Sequence, residues 1–323
     1  MTTMYGPVID SLSFRNQGGI ERCAPETGGA DISLIICSRN RCRQLARCLE
    51  SVGRIVFERP WELIIVDNGS TDETATVVRR FIESSNLQAT YLFEPAAGKS
   101  RGLNSALRIV RGQLLAFTDD DCYPATDFLA EVWAAFDDPA IGYIGGRVLL
   151  HDPADVPITT NESAMPVTFP ARSFVAAGDV QGANMAFRRA VLLEIGGFDP
   201  LFGPSALAGE DIDAVGRASS AGWKGQYRPE VIVWHHHGRK VADSRTILKN
   251  YAIGAGAYQM KVLLRSRGFL SFARRFVWRF RKGKTVFDIT IRRILLWELV
   301  GMLKYTYVCS TGLFAFAQRR EAE

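Results

Sequence analysis

Residues 114–124 read LLAFTDDDCYP, three consecutive carboxylates behind a short apolar run and just ahead of a proline. Carboxylates this close resist ionising together unless a cation compensates them. A hard divalent ion, Mg2+ or Mn2+, does so through one or two carboxylates and completes its shell with water and substrate phosphates. On an extended chain alternate side chains share a face, so Asp119 and Asp121 are expected to meet one ligand, with Asp120 shaping the turn.

Three further clusters carry chemistry. AAGKSRG at 96–102 has the ending of a phosphate-binding P-loop, but the first glycine of that motif would fall at Phe93, so the motif is absent. Lys99 and Arg101 at the start of a helix can still meet a diphosphate through charge and the helix N-terminus. Glu210 and Asp211, in GED, open another predicted helix, where the dipole favours carboxylates and where one of them could act as a general base. WHHHG at 234–238 holds three of the four histidines; in a strand His235 and His237 share a face, and one imidazole could complete a metal site.

These groups need a frame, and the apolar pattern supplies one. ISLIIC (32–37), WELIIVD (61–67), ATYLFE (89–94) and QLLAFTD (113–119) read as buried strands separated by helical stretches near 41–52, after 73, and at 100–110. The alternation predicts βαβ units and a mostly parallel sheet. STDE (70–73) has the spacing of a capping box for the second helix. Ligands of such sheets bind beyond the carboxyl ends of the strands. There the sequence places CSRNR, DNGSTD, EPAAGKSRG and TDDDC.

Farther along, 140–150 and 231–238 read as strands, 182–200 as a short strand and helix with a glycine stop, and 209–223 as a helix ended by Gly222. The proline-bearing stretch 152–170 reads as a long loop suited to specificity. From Thr246 onward the pattern is helical, with aromatic and basic residues mixed and no uncharged apolar run long enough to span a bilayer.

The chain has 323 residues, 47% hydrophobic and 23% charged, a globular composition. Eighteen basic and five acidic residues lie from Arg239 onward, a local +13 within a net +5, so the first 238 residues carry −8. An acidic body with a basic helical region suggests two tasks, the second at an anionic membrane surface or an oligomer contact. No nucleic-acid recognition motif accompanies the basic residues. Six cysteines show neither a C-x-x-C pair nor metal-ligand spacing, as expected in a reducing compartment. Residues 1–30 have no apolar core of signal-peptide length and read as a flexible tail.

Taken in order, IICSRNR, IIVDNGSTDET, GKSRGLNSAL, LLAFTDDDC, GANMAFRRAVLLEIGGFDP and GEDIDAVGR, between residues 31 and 217, resemble family 2 glycosyltransferases of the GT-A fold. The resemblance implies an α/β fold with a mostly parallel central sheet between helices, here with a C-terminal amphipathic helical extension. It divides the chain into a catalytic domain at 31–238, with a nucleotide-sugar half at 31–124 and an acceptor half at 125–238, and a basic helical region at 239–323.

The activity implied is inverting transfer of a sugar from a UDP-, dTDP- or GDP-linked donor to an acceptor hydroxyl, with Mn2+ or Mg2+ as cofactor. Carried over by position, Ser38, Arg39, Asn40 and Asp67 line the nucleoside pocket, while Lys99 and Arg101 stand near the donor. Asp119 lies toward the ribose and shares the metal with Asp121 and with His235, chosen among the three histidines; Asp211 is the base, and Asn184 and Glu210 approach sugar or acceptor. The expected acceptor is a glycan or lipid-linked glycoconjugate, and the expected place is the cytoplasmic face of the membrane, held peripherally. A sugar-phosphate nucleotidyltransferase would need a glycine-rich loop where this chain has CSRNRCRQL. A non-catalytic carbohydrate- or lipid-binding protein on the same scaffold is the alternative of a different class.

Overall fold

The computed structural model describes residues 20–22, 29–203, 207–265, 285–286 and 289–320. Its first half runs β1 (Ile20–Arg22), β2 (Ile32–Ser38), α1 (Cys42–Val52), β3 (Trp61–Asp67), α2 (Thr74–Ser84), β4 (Ala89–Phe93), α3 (Lys99–Leu107) and β5 (Leu114–Asp119). Then come β6 (Cys122–Pro124), α4 (Phe128–Ala134), β7 (Ile141–Leu150), β8 (Val167–Phe169), β9 (Asn184–Arg188), α5 (Arg189–Glu194), α6 (Glu210–Ala221) and β10 (Lys224–His235). Two long helices follow, α7 (Ser244–Arg265) and α8 (Ile291–Arg320).

The apolar runs become strands buried on both faces, because helices cover the sheet on either side. In β2, Ile32, Leu34 and Ile36 pack into the layer that holds Leu45, Leu49 and Val52 of α1, while Ile35 faces the layer that holds Leu103 of α3 and Val215 of α6. The sheet order is β1-β4-β3-β2-β5-β9-β7-β10-β6, with β8 on β10. The core β4-β3-β2-β5 is parallel, while β9 runs antiparallel between β5 and β7. The chain winds outward from β2 to β4 and then crosses back to β5, so the crevice between β2 and β5 is a topological switch point.

Several local expectations change in the fold. The capping box at 70–73 does not form: α2 begins at Thr74, and the Asp72 carboxylate accepts both Thr74 N–H at 3.1 Å and Cys42 N–H at 3.0 Å. One side chain thus caps two helices, which local spacing cannot reveal. The 152–170 stretch contributes β8, and the strand expected at 231–238 begins at Lys224 and stops at His235. Ile20–Arg22, within the expected tail, form an edge strand antiparallel to β4. The rest of residues 1–28, and the helical reading of 269–282, lie outside the described residues.

The two C-terminal helices belong to the core. Ala257, Tyr258 and Val262 of α7 and Tyr305 of α8 pack in the same apolar layer as Phe117 and Phe198. Lys261 reaches from α7 to Asp199 at 2.7 Å and to Asp213 of α6 at 2.5 Å. Close approach requires glycine: a Cβ on Gly256 would stand 1.8 Å from the Glu298 carbonyl oxygen, and one on Gly301 would stand 1.9 Å from that of Ile253. Among the described residues, no helix is long and apolar enough to cross a membrane.

Candidate active site

Strand register assembles the site. Ser38 is paired with Asp67, Cys37 with Asp119, and Asp67 with Phe93, so the loaded carboxyl ends of four strands form one rim. Asp119 ends β5; Asp120 and Asp121 then turn the chain into β6. That turn breaks the strand alternation expected for Asp119 and Asp121: Asp119 pairs with Lys99, while Asp120 and Asp121 share Arg41.

Asp119 Oδ1 lies 2.6 Å from Lys99 Nζ, and the same ammonium lies 3.1 Å from Glu210 Oε1. Burial would lower the Lys99 pKa, but Asp119 and then Glu210 outweigh it and hold it well above its usual value. Asp120, only 3% exposed, accepts the Ser38 hydroxyl at 2.7 Å and faces Arg41 Nη1 at 3.1 Å. Burial pushes its carboxyl up to about 7 against the opposing pull of Arg41. Asp121 Oδ2 meets Arg41 Nη2 at 2.5 Å, and Asp121 Oδ1 meets His235 Nε2 at 3.3 Å. Burial would raise Asp121, yet the His235 hydrogen bond and charge, with Arg41, hold it well below the usual carboxylate range.

His235 arrives through pairing of distant segments. It ends β10 opposite Cys122 of β6, and His236 N–H donates to the Asp121 carbonyl at 2.8 Å. The His235 Nδ1 atom faces Thr159 O at 3.3 Å and Thr159 Oγ1 at 3.2 Å, while that hydroxyl donates to Ile158 O at 2.5 Å. With the hydroxyl proton spent, both Thr159 oxygens can only accept, so Nδ1 carries a proton. Burial would lower the His235 pKa, but the hydrogen bond from Nε2–H to the Asp121 carboxylate, with its charge, raises it; a bound cation would take the place of that Nε2 proton. Thr159 holds this post at φ 59°, a left-handed conformation costly for a β-branched residue.

Asp121, His235 and the Cys122 thiol place one ligand atom each within 4.8 Å of one another. Burial raises the Cys122 pKa well above normal, so it remains a thiol, and the working pair is carboxylate and imidazole. That pair fits a divalent cation such as Mn2+ or Mg2+, whose remaining positions would be left to water and phosphate. His236 points elsewhere, with Nδ1 2.9 Å from the Tyr123 hydroxyl, and His237 Nδ1 accepts Arg239 N–H at 3.0 Å.

On the other side of Lys99 stands Asp211, at the start of α6. Its Oδ2 accepts Gly182 N–H at 2.7 Å and its Oδ1 accepts Ile212 N–H at 2.7 Å. A Cβ on Gly182 would lie 3.4 Å from Asp211 Oδ2 and 3.5 Å from Lys99 Nζ, so these groups share one crevice. Burial, and next the charge of Glu210, push the Asp211 carboxyl up to about 6, poised to take a proton near neutrality.

Residues 33–196, just over half of the chain, match the profile described as glycosyl transferase family 2. The chain belongs to glycosyl transferase family 2. Glycosyltransferase AglE of Haloferax volcanii is 24% identical over 277 residues, 84% of this chain and 81% of that one. O-antigen chain rhamnosyltransferase RfbN of Salmonella typhimurium is 26% identical over 222 residues, 64% of this chain and 66% of that one. Among solved structures, the mannosyltransferase PcManGT of Pyrobaculum calidifontis, in complex with GDP-Man and Mn2+, aligns with a TM-score of 0.61 at 19% identity, over 93% of this chain and 83% of that one. That is a likeness of fold: a GT-A sheet with helices on both faces.

Within this glycosyltransferase the remaining candidate residues sort by what their side chains touch. Asp67 is buried at the strand end, accepting Ser70 N–H at 2.8 Å and the Tyr91 hydroxyl at 2.9 Å. Asn40, at φ 53°, accepts Thr71 N–H at 2.6 Å and interlocks the first two loops. Arg39 and Arg101 are exposed on the rim. Three expectations need correction. Asn184 is not brought to the crevice: it is 1% exposed, and its amide donates to Arg147 O at 3.0 Å and Val231 O at 2.9 Å, stitching β9 to β7 and β10. Glu210 is taken up by Lys99 rather than offered to an acceptor. Asp119 likewise stands with Lys99, outside the Asp121–Cys122–His235 cluster.

Arg41 and Thr159 escaped the sequence reading. Arg41 could have been found by asking which cation balances three adjacent carboxylates, since CSRNR sits at the neighbouring strand end. Thr159 carried no local signal.

Proposed function

We propose that this glycosyltransferase moves a sugar from a nucleoside-diphosphate donor to an acceptor hydroxyl with inversion at the anomeric carbon. One chain of contacts carries the reading: Asp121, paired with His235, stands in the same acidic run as Asp119, and the Lys99 ammonium that Asp119 holds lies beside the raised carboxyl of Asp211. Asp211 in its ionised form takes the proton of the attacking hydroxyl, held in place by Gly182 N–H. A divalent ion at Asp121 and His235 would neutralise charge on the leaving diphosphate. The Ser38–Asn40 turn, with Arg39, and Asp67 form the nucleoside wall, Asp119 with Lys99 borders the ribose and phosphates, and Arg101 meets the donor from the rim.

The fold-alike mannosyltransferase that holds GDP-Man and Mn2+ supports the donor class, and an O-antigen chain rhamnosyltransferase among the relatives supports a glycoconjugate acceptor. A lipid-linked acceptor at the cytoplasmic membrane face is favoured by α8. Its buried residues Ile294, Trp297, Glu298, Gly301 and Tyr305 face the protein, while Leu296, Leu299, Val300, Leu303 and Tyr307 form an exposed stripe opposite. Arg292, Arg293 and Lys304 lie exposed along that stripe, the arrangement of an interfacial helix. The 152–170 stretch, which reaches His235 through Thr159, is read as the segment that chooses the acceptor.

The test is calorimetric titration of UDP-, dTDP- and GDP-sugars with and without Mn2+. Mn2+-dependent binding of one donor, lost in Asp121→Ala, is the expected result. If no donor binds under any condition, the transferase site is misassigned and the scaffold serves binding of another ligand.

A further inference from the structure

Why three carboxylates, when the cation pair uses only one of them? The answer lies with Arg41. Its guanidinium forks between two neighbours in the acidic run, Nη1 at 3.1 Å from Asp120 Oδ1 and Nη2 at 2.5 Å from Asp121 Oδ2. Asp120 uses its other oxygen, Oδ2, to accept the Ser38 hydroxyl at 2.7 Å, so this carboxylate is fixed at both ends and buried. The backbone of Arg41 is fixed as well, its carbonyl accepting Leu45 N–H at 2.9 Å as α1 begins. Ser38, Asp120 and Arg41 therefore form a rigid bracket whose last arm grips Asp121 Oδ2 and leaves Oδ1 turned to His235 Nε2 at 3.3 Å.

We infer that Arg41 is a positioning residue for the divalent cation: held by Asp120, it sets the rotation of the Asp121 carboxylate so that Oδ1 and His235 Nε2 present one shared binding edge. The inference rests on the reading of Asp121 and His235 as the cation pair, and it gives Asp120 the role that strand alternation denied it. Geometry separates positioning from competition. A cation that merely occupied the site would sit between Oδ1 and Nε2, whereas Arg41 approaches the opposite oxygen. A planar fork suits two carboxylates at once, and a lysine ammonium, a point charge, cannot bridge them in the same way. Groups that orient metal ligands from behind typically contribute about 10–100-fold in metal affinity.

The experiment is Mn2+ titration of the full chain without donor, followed by the loss of the free-ion paramagnetic resonance signal, with urea unfolding of each variant as the folding control. Arg41→Ala is expected to weaken Mn2+ binding by about 10–100-fold while still folding. Arg41→Lys should recover only part of the loss. Asp120→Asn keeps the Ser38 contact and removes the charge that holds Arg41; it should weaken binding less, and the double variant should be no worse than Arg41→Ala alone, because the two act through one bracket. Mn2+ affinity that is unchanged or raised in a folded Arg41→Ala overturns the inference, as does full additivity in the double variant. Wild-type protein that binds no Mn2+ overturns the cation pair itself, an outcome distinct from wild-type binding that survives loss of Arg41.

Discussion

Asp211 Oδ2 accepts the backbone N–H of Gly182 at 2.7 Å, which ties the first turn of α6 to the loop ahead of β9 and aims a carboxyl with a pKa of about 6 into the crevice. A base must be ionised to work, so kcat/KM is expected to fall as pH drops below about 6. Asp211→Asn should lower kcat by about 10²–10⁴-fold and leave donor affinity unchanged. Near-normal turnover in that variant would remove Asp211 from the reaction.

The same group has a signature in stability. Its folded pKa is raised from the ordinary 3.8 to about 6, so its contribution to folding is fully present below 3.8 and is lost as pH rises through about 6. Urea melts of Asp211→Asn should therefore match wild type in acid and exceed it at alkaline pH, where wild type bears the ionised group. A variant that is less stable than wild type at alkaline pH would contradict the raised carboxyl.

Lys99 stands between Asp119 and Glu210 with its side chain only 20% exposed. Replacement by methionine leaves the carboxylates without a counter-charge. The expected cost is about 2–3 kcal/mol, less than a sealed ion pair because Asp119 keeps some contact with water. Denaturant midpoints measure it, and a change within error would mean that water supplies what Lys99 does.

The α7–α8 crossing depends on absent side chains. At Gly256 a Cβ would overlap the Glu298 carbonyl, so Gly256→Ala must push the helices apart and should cost about 1–3 kcal/mol. Thermal unfolding and proteolysis between the helices report it. Full stability would require a crossing looser than the one described.

The exposed stripe of α8 predicts co-sedimentation with anionic vesicles at low salt, reduced by salt and by Leu299→Glu with Leu303→Glu. Protein that stays in the supernatant at low salt would leave the stripe to another partner, a second copy included.

Much of this was legible in the linear order of residues. Apolar runs at 32–37, 61–67, 89–94 and 113–119 define strands, because burial on both faces demands unbroken hydrophobicity, and the polar residues that end each run must then share one rim. Gly222, at φ 115°, ends α6 as its position in the sequence implies. Which charge meets which was not legible. Arg41 reaches Asp121 across 80 residues, His235 reaches the same carboxylate through pairing of β10 with β6, and Asn184 turns into the sheet to bond the backbones of two neighbouring segments. Local periodicity sets what each segment becomes. The partners of its polar side chains are chosen by non-local strand register and by the requirement that every buried polar group be satisfied, and only the assembled tertiary structure meets both conditions at once.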